Sequence, residues 1–128
     1  MLVETLASMH TILVIDDDQK LSRTLVQILR RSGFSVVTTT QLSQARSHLY
    51  LHSFDLIIYD SNVPDEADIG LVHELHGLFP DIPIILITDN PIDISALTKQ
   101  QIGVSCSLVK PVDPANVLAC VDEILIRQ

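Results

Sequence analysis

Three short stretches of this chain end in residues that can handle charge. They are ILVIDDD (12–18), DLIIYDSNVP (55–64) and LVKP (108–111). Each is an apolar, β-type run with charge at its C-terminal end: Asp16 and Asp17, then Asp60, then Lys110. If the runs are parallel strands, those ends share one edge, where open α/β sheets place their ligand sites. Three carboxylates and one ammonium would then converge on one crevice. Two unit charges about 4.5 Å apart repel by roughly 3–4 kcal/mol at an effective dielectric of ~20. The three acids therefore require a bound cation or a raised pKa. An all-oxygen set with no His or Cys beside it selects a hard ion, and Mg2+ with several retained waters suits it. The chemistry expected is divalent-cation binding and the handling of a phosphoryl group. Acids are also favoured at helix N-termini, and Asp18 is assigned that simpler capping role. Asp60 and Lys110 recur at matching strand ends, which gives Asp16 and Asp17 the larger one.

The elements that would position these groups are legible as an alternation. Apolar runs at TILVI (11–15), FSVVT (34–38), DLIIY (55–59), PIILIT (83–88) and SLV (107–109) are each followed by a helix-period segment. In the first such segment Leu21, Leu25, Ile28 and Leu29 recur at helical spacing, and Gly33 stands where a C′ glycine would end the helix. A second helix is expected over 42–52 with Leu42, Ala45 and Leu49 inward, and a third over 69–79, stopping before Pro80. The fourth covers 92–102 and closes at Gly103. The fifth opens with Asp113 as N-cap and Pro114 at N1, and buries Val117, Val121, Ile124 and Leu125. Strand–helix alternation implies a parallel sheet with right-handed crossovers, here a (βα)5 doubly wound α/β sandwich. Residues 1–10 read as an N-terminal extension and 11–128 as one domain, because no linker divides the chain.

Composition narrows the function. The 128 residues are 47% hydrophobic with no Trp, and the aliphatic excess suits a sheet buried on both faces. Eight Lys and Arg against sixteen Asp and Glu leave a net charge of −8, which argues against direct binding of nucleic acid or an anionic membrane by this domain. No apolar run approaches the ~20 residues of a membrane span, and residues 1–10 lack the basic start and long apolar stretch of a signal peptide. Cys106 and Cys120 have no motif spacing and are expected to be two unpaired core thiols in a reducing cytoplasm.

Taken in order, the acid pair in VIDDD, the IIYDSNVP segment, the ILIT strand ending in Thr88, Lys110 with Pro111, and the helical segments between them resemble the receiver domain of bacterial two-component response regulators. The resemblance covers about residues 10–127. It implies a CheY-like, flavodoxin-like five-stranded sheet in the order 2-1-3-4-5, and a phosphoprotein of phosphorelay signal transduction. By resemblance, Asp60 is the phospho-acceptor, taking a phosphoryl group from a histidine kinase or histidine phosphotransfer protein in an Mg2+-dependent reaction. Asp16 and Asp17 resemble the acidic pair that holds Mg2+, with Asp60 and the backbone carbonyl of Asn62 as further ligands. Thr88 resembles the hydroxyl that turns toward the phosphoryl oxygen, and Lys110 the cation that pairs with another. Pro111 would be the cis-peptide proline that aims it. Mg2+, an ammonium and a hydroxyl together neutralise charge on a transferring phosphoryl group. The same resemblance implies a self-phosphorylating signalling domain rather than a turnover enzyme. In the family the face of the fourth helix, fifth strand and fifth helix often forms a homodimer, and the sequence is equally compatible with a stand-alone receiver and with the N-terminal piece of a longer regulator that carries an output domain.

Three positions depart from the family pattern. Ser107 stands where an aromatic or His normally moves with the threonine. Asp89 replaces a small residue after Thr88. Asp68 replaces a glycine that is displaced to Gly70, so the acidic stretch 65–68 is expected to be a re-routed, solvated loop. These departures sustain a competing reading, a pseudo-receiver that binds protein without phosphorylation control. An Mg2+-dependent phosphatase would need a cap or substrate pocket for which the chain has no room. The pairs His73/His76 and His48/His52 have helical spacing and no third ligand nearby, so solvent-facing side chains are expected there rather than a metal site.

Overall fold

The computed structural model describes residues 9–16, 19–61, 66–88 and 103–126, without the side chains of 19–21, 42, 61, 66–69 and 71. Five strands, β1 (Thr11–Asp16), β2 (Ser35–Thr39), β3 (Leu56–Ser61), β4 (Ile84–Thr88) and β5 (Val104–Val109), form one sheet. All neighbours are parallel and the order is β2-β1-β3-β4-β5. The connecting helices are α1 (Gln19–Arg31), α2 (Leu42–Leu51), α3 (Glu66–Leu78) and α4 (Pro114–Leu125). The helix expected over 92–102 and the Asp18 cap lie outside the described residues, as do the side chains of Leu21 and Leu42.

The strands are apolar on consecutive residues because both faces are covered. Ile12, Val14, Leu56, Ile58, Ile85 and Ile87 pack under α1 and α4, against Leu25, Leu29, Val117 and Val121. The alternate residues Leu13, Ile15, Ile57, Tyr59, Ile84 and Leu86 pack with Ala45 and Leu49 of α2 and Val72 and Leu75 of α3. The period of two along each strand thus splits one aliphatic run between two cores. Ile124 and Leu125, expected to be buried, are only partly so, resting against the first core.

Two ends are set by local chemistry. The Asp113 side chain accepts from the Ala115 N–H at 2.9 Å with Pro114 following, the N-cap anticipated from sequence. At the end of α1 the Gly33 N–H donates to the Arg30 carbonyl (3.0 Å) and the Phe34 N–H to the Leu29 carbonyl (3.1 Å). Gly33 has φ 100°. This is a Schellman ending: two terminal carbonyls are satisfied, and Phe34 and Leu29 enter the same core.

Two expectations are corrected. Residues 66–68 are not a loop, because α3 begins at Glu66 and places Gly70 inside a helix; Asp65 lies outside the described residues. Acidic residues suit the first turn of a helix, so the sequence Glu66-Ala67-Asp68 starts α3 rather than preceding it. Strand β5 is longer than SLV and begins at Val104. It was obscured by Ser105, where the register with β4 shifts between Ile84 and Ile85. An irregular, polar-interrupted edge strand carries little periodic signal.

Replacing Gly33 by Ala should destabilise the domain by about 1–2 kcal/mol, because a Cβ is forced into left-handed backbone. Urea unfolding with an unchanged m-value would register it. An unchanged midpoint would show that the α1 ending does not need its glycine.

Candidate functional site

Parallel register brings the charged strand ends to one edge. Asp16 of β1 lies opposite Asp60 of β3, and Ser61 opposite Thr88 of β4. Thr88 lies opposite Val109 of β5, and the Lys110 N–H donates to the Thr88 carbonyl at 2.8 Å. Four residues at the ends of four strands therefore share one edge: Asp16, Asp60, Thr88 and Lys110. Asp16, Asp60 and Thr88 each follow a run of buried apolar residues, so the hydrophobic core itself sets how far along the edge these three stand.

Asp16, Asp60 and Thr88 are 3%, 4% and 0% exposed, so the site is polar chemistry set into a dry wall. Lys110 Nζ contacts Asp60 Oδ1 at 2.6 Å. The Lys110–Pro111 peptide is cis, as the resemblance implied. Among the described residues no donor reaches Asp60 Oδ2, which is buried. Burial is the main influence on the Asp60 carboxyl; Lys110 opposes it and Asp16 adds to it. Together they raise the acid from the ordinary 3.8 to about 7. A buried carboxylate oxygen lacking a donor, facing a second buried carboxylate, is the donor set that a hard divalent cation satisfies. Asp17, Asn62 and Asp89 lie outside the described residues.

Other expectations resolve differently. Ser107 is half-buried on β5 opposite Leu86. His48 and His52 are at the end of α2, with ring centroids 6.4 Å apart. His73 is exposed, but His76 is not solvent-facing: its ring rests on Gly103, where any Cβ would collide with it. Gly103 has φ 79°, so it combines left-handed backbone with that close approach. The periodicity of α3 does not reveal this contact, because the partner is 27 residues away in sequence and is a residue with no side chain. Sequence reasoning also missed a cleft of about 430 Å³ beside Asp16, lined by Ser22, Arg23, Gln27 and Arg30 of α1 and by Thr38–Thr40. The signal was there in Arg23 and Arg30, two turns apart on one helix, but which loop they would face is a tertiary fact.

The fold is a doubly wound sheet with buried acids and a lysine at its C-terminal edge. The family model described as "Response regulator receiver domain" matches residues 12–122. The chain belongs to that family: it is a response-regulator receiver domain. It is 29% identical over 122 residues to the transcriptional regulatory protein CreB of Escherichia coli K12, covering 92% of this chain and 52% of that protein. It is 30% identical over 116 residues to the transcriptional regulatory protein BaeR of an E. coli O6:H1 strain, covering 91% and 48%. The chain thus spans about half the length of these curated relatives. Among solved structures, a CheY-like receiver domain protein from Methanospirillum hungatei shares the fold with a TM-score of 0.79 at 24% identity, over 92% of this chain and 94% of that one. A two-component response regulator from Clostridium difficile gives 0.79 at 25%, over 92% and 97%.

The raised Asp60 pKa has a consequence for stability in metal-free buffer. Between about pH 4 and 7 the folded state holds a proton that the unfolded state has released, so stability declines as pH rises through that window and levels off above it. Asp60→Asn removes this titration. Its stability advantage over the parent in EDTA should grow from about pH 4 to about pH 7, toward a few kcal/mol, less whatever the loss of the Lys110 contact costs. Urea midpoints across that range measure the difference. A pH-independent offset would show that Asp60 titrates normally.

Proposed function

We propose that this receiver domain accepts a phosphoryl group on Asp60 in an Mg2+-dependent reaction and relays the signal by a change of conformation. The observation that carries the reading is the buried Asp60 carboxylate, held by Lys110 at 2.6 Å and placed opposite Asp16 by strand register. Asp60 Oδ2 is the oxygen left over for attack on phosphorus or for a metal. A bond forms from an Asp60 oxygen to phosphorus while the bond from phosphorus to the donor nitrogen or oxygen breaks. Lys110 then shifts its attraction from the carboxylate to a phosphoryl oxygen. Thr88, fully buried one strand away, supplies a hydroxyl to another. Mg2+ held by Asp16, Asp17, Asp60 and the carbonyl of Asn62 would neutralise charge on the transferring group. The domain acts as a stoichiometric acceptor rather than a turnover enzyme, and Pro111 aims Lys110.

The phosphodonor is a histidine kinase or a histidine phosphotransfer protein, and the setting is cytoplasmic. An output domain accords with relatives about twice this chain's length, some of them named as transcriptional regulators. A homodimer would use the expected helix over 92–102 together with β5 and α4. The pseudo-receiver alternative predicts no use for Thr88 and Lys110, yet both stand at the acid edge.

Treatment with acetyl phosphate and Mg2+ should add the mass of one phosphoryl group to the intact protein. Asp60→Asn should abolish the addition, and EDTA should prevent it in the parent. Undiminished labelling of Asp60→Asn would refute the assignment. Mg2+ should also raise the melting temperature of the parent, because it binds the folded state.

Ser107 and Asp89 predict where the response goes. Without an aromatic at position 107, β5 lacks the bulky element whose position reports the state, and a change needs differential free energy between the states. Amide shifts on beryllofluoride activation, with BeF3− on Asp60 standing in for the phosphoryl group, should be smaller along 104–109 than along 64–70 and 88–95. The largest shifts at Ser107 and Leu108 would overturn that reading.

A further inference from the structure

Cys106 and Cys120 lie outside the acidic site and have no part in the phosphoryl chemistry. They are 14 residues apart, one on β5 and one on α4, and their spacing matches no redox or metal motif. The fold brings their sulfurs to 3.0 Å, closer than two thiols in ordinary contact. Both are free thiols and both are half-buried, at the margin of the core formed by Val117 and Val121. A disulfide has an S–S separation of about 2.05 Å, so roughly 1 Å of approach separates the pair from a bond.

We propose that Cys106 and Cys120 are a modification site, a vicinal dithiol that is oxidised to an intramolecular disulfide by exchange with a small, neutral disulfide. The chemical class follows from two features. The sulfurs are half-buried, which admits a small reagent rather than a protein active site, and the chain carries −8, which repels an anionic one. Burial, Cys120 beside it and Glu123 push the Cys106 thiol up to about 12, keeping it protonated. One of the two thiols gives its proton to solvent and attacks one sulfur of the reagent, whose S–S bond breaks to release one small thiolate. The other thiol then gives its proton to solvent, attacks the sulfur of the first cysteine and expels the second thiolate. Two protein thiols are oxidised by two electrons in total, and one reagent disulfide is reduced to two thiols. The product ties β5 to α4 and closes a covalent loop around Lys110 and Pro111.

Native, reduced protein incubated with 2-hydroxyethyl disulfide and then quenched with acid and alkylated tests this by intact mass. The parent should lose the mass of two hydrogens and both alkylatable thiols, carry no reagent, and regain the thiols with a reductant. Its oxidised form should melt at a higher temperature than its reduced form. Cys106→Ser and Cys120→Ser, each of which keeps one thiol, should instead retain half a reagent molecule as a stable mixed disulfide. Two results would overturn the proposal: a parent that keeps both thiols, or a parent that stops at mixed disulfides. Because the decisive measurement is on the parent chain, it does not depend on either serine variant folding, nor on whether Asp60 accepts phosphate.

Discussion

Lys110 Nζ and Asp60 Oδ1 meet at 2.6 Å in a wall where Asp60 and Asp16 are almost wholly screened from water. Around this contact the rest of the structure is organised. Removing two carboxylates from water costs several kcal/mol per ion, and one ammonium does not restore it. A hydrophobic cluster of the same shape would be at least as stable. The site is thus a standing cost, which the aliphatic core on both sides of the sheet offsets. The raised pKa of Asp60 is the same cost seen through titration.

Such an arrangement is chemically productive because it is unfinished. Asp60 has one oxygen on Lys110 and the other without a donor among the described residues. Any positive charge or phosphoryl group that completes the set gains from being placed where water competes little. Parallel pairing is what makes this possible. It sets Asp16 opposite Asp60, and Thr88 opposite the residue before Lys110, at one edge, while the preceding residues of β1, β3 and β4 are anchored in the core and cannot slide without exposing it.

Strand β5 is the least buried of the sheet and carries a register shift where it pairs with β4. It is also the strand that leads into Lys110, holds Ser107, and presents Cys106 to α4. Elements with few buried apolar contacts open most readily. The sheet is thus rigid where the acids sit and softest where the ammonium enters. Gly103, fitted against His76 just before β5, fixes where this softer strand begins.

The sequence alone determined the alternation of strands and helices, the capping of α4 by Asp113, the Gly33 ending of α1, and the candidate residues Asp16, Asp60, Thr88 and Lys110. These are local signals: runs, periods and caps are set by neighbours a few residues away, and a parallel sheet converts strand ends into one edge. The start of α3 at Glu66 and the full length of β5 were less legible, because short polar segments satisfy helix, strand and loop alike. Only the tertiary structure decided that His76 rests on Gly103, that Arg23 and Arg30 line a cleft beside Asp16, and that Cys106 meets Cys120. Each of these depends on how far one element slides along another. That distance is set by the packing of both cores at once, and no single stretch of sequence encodes it.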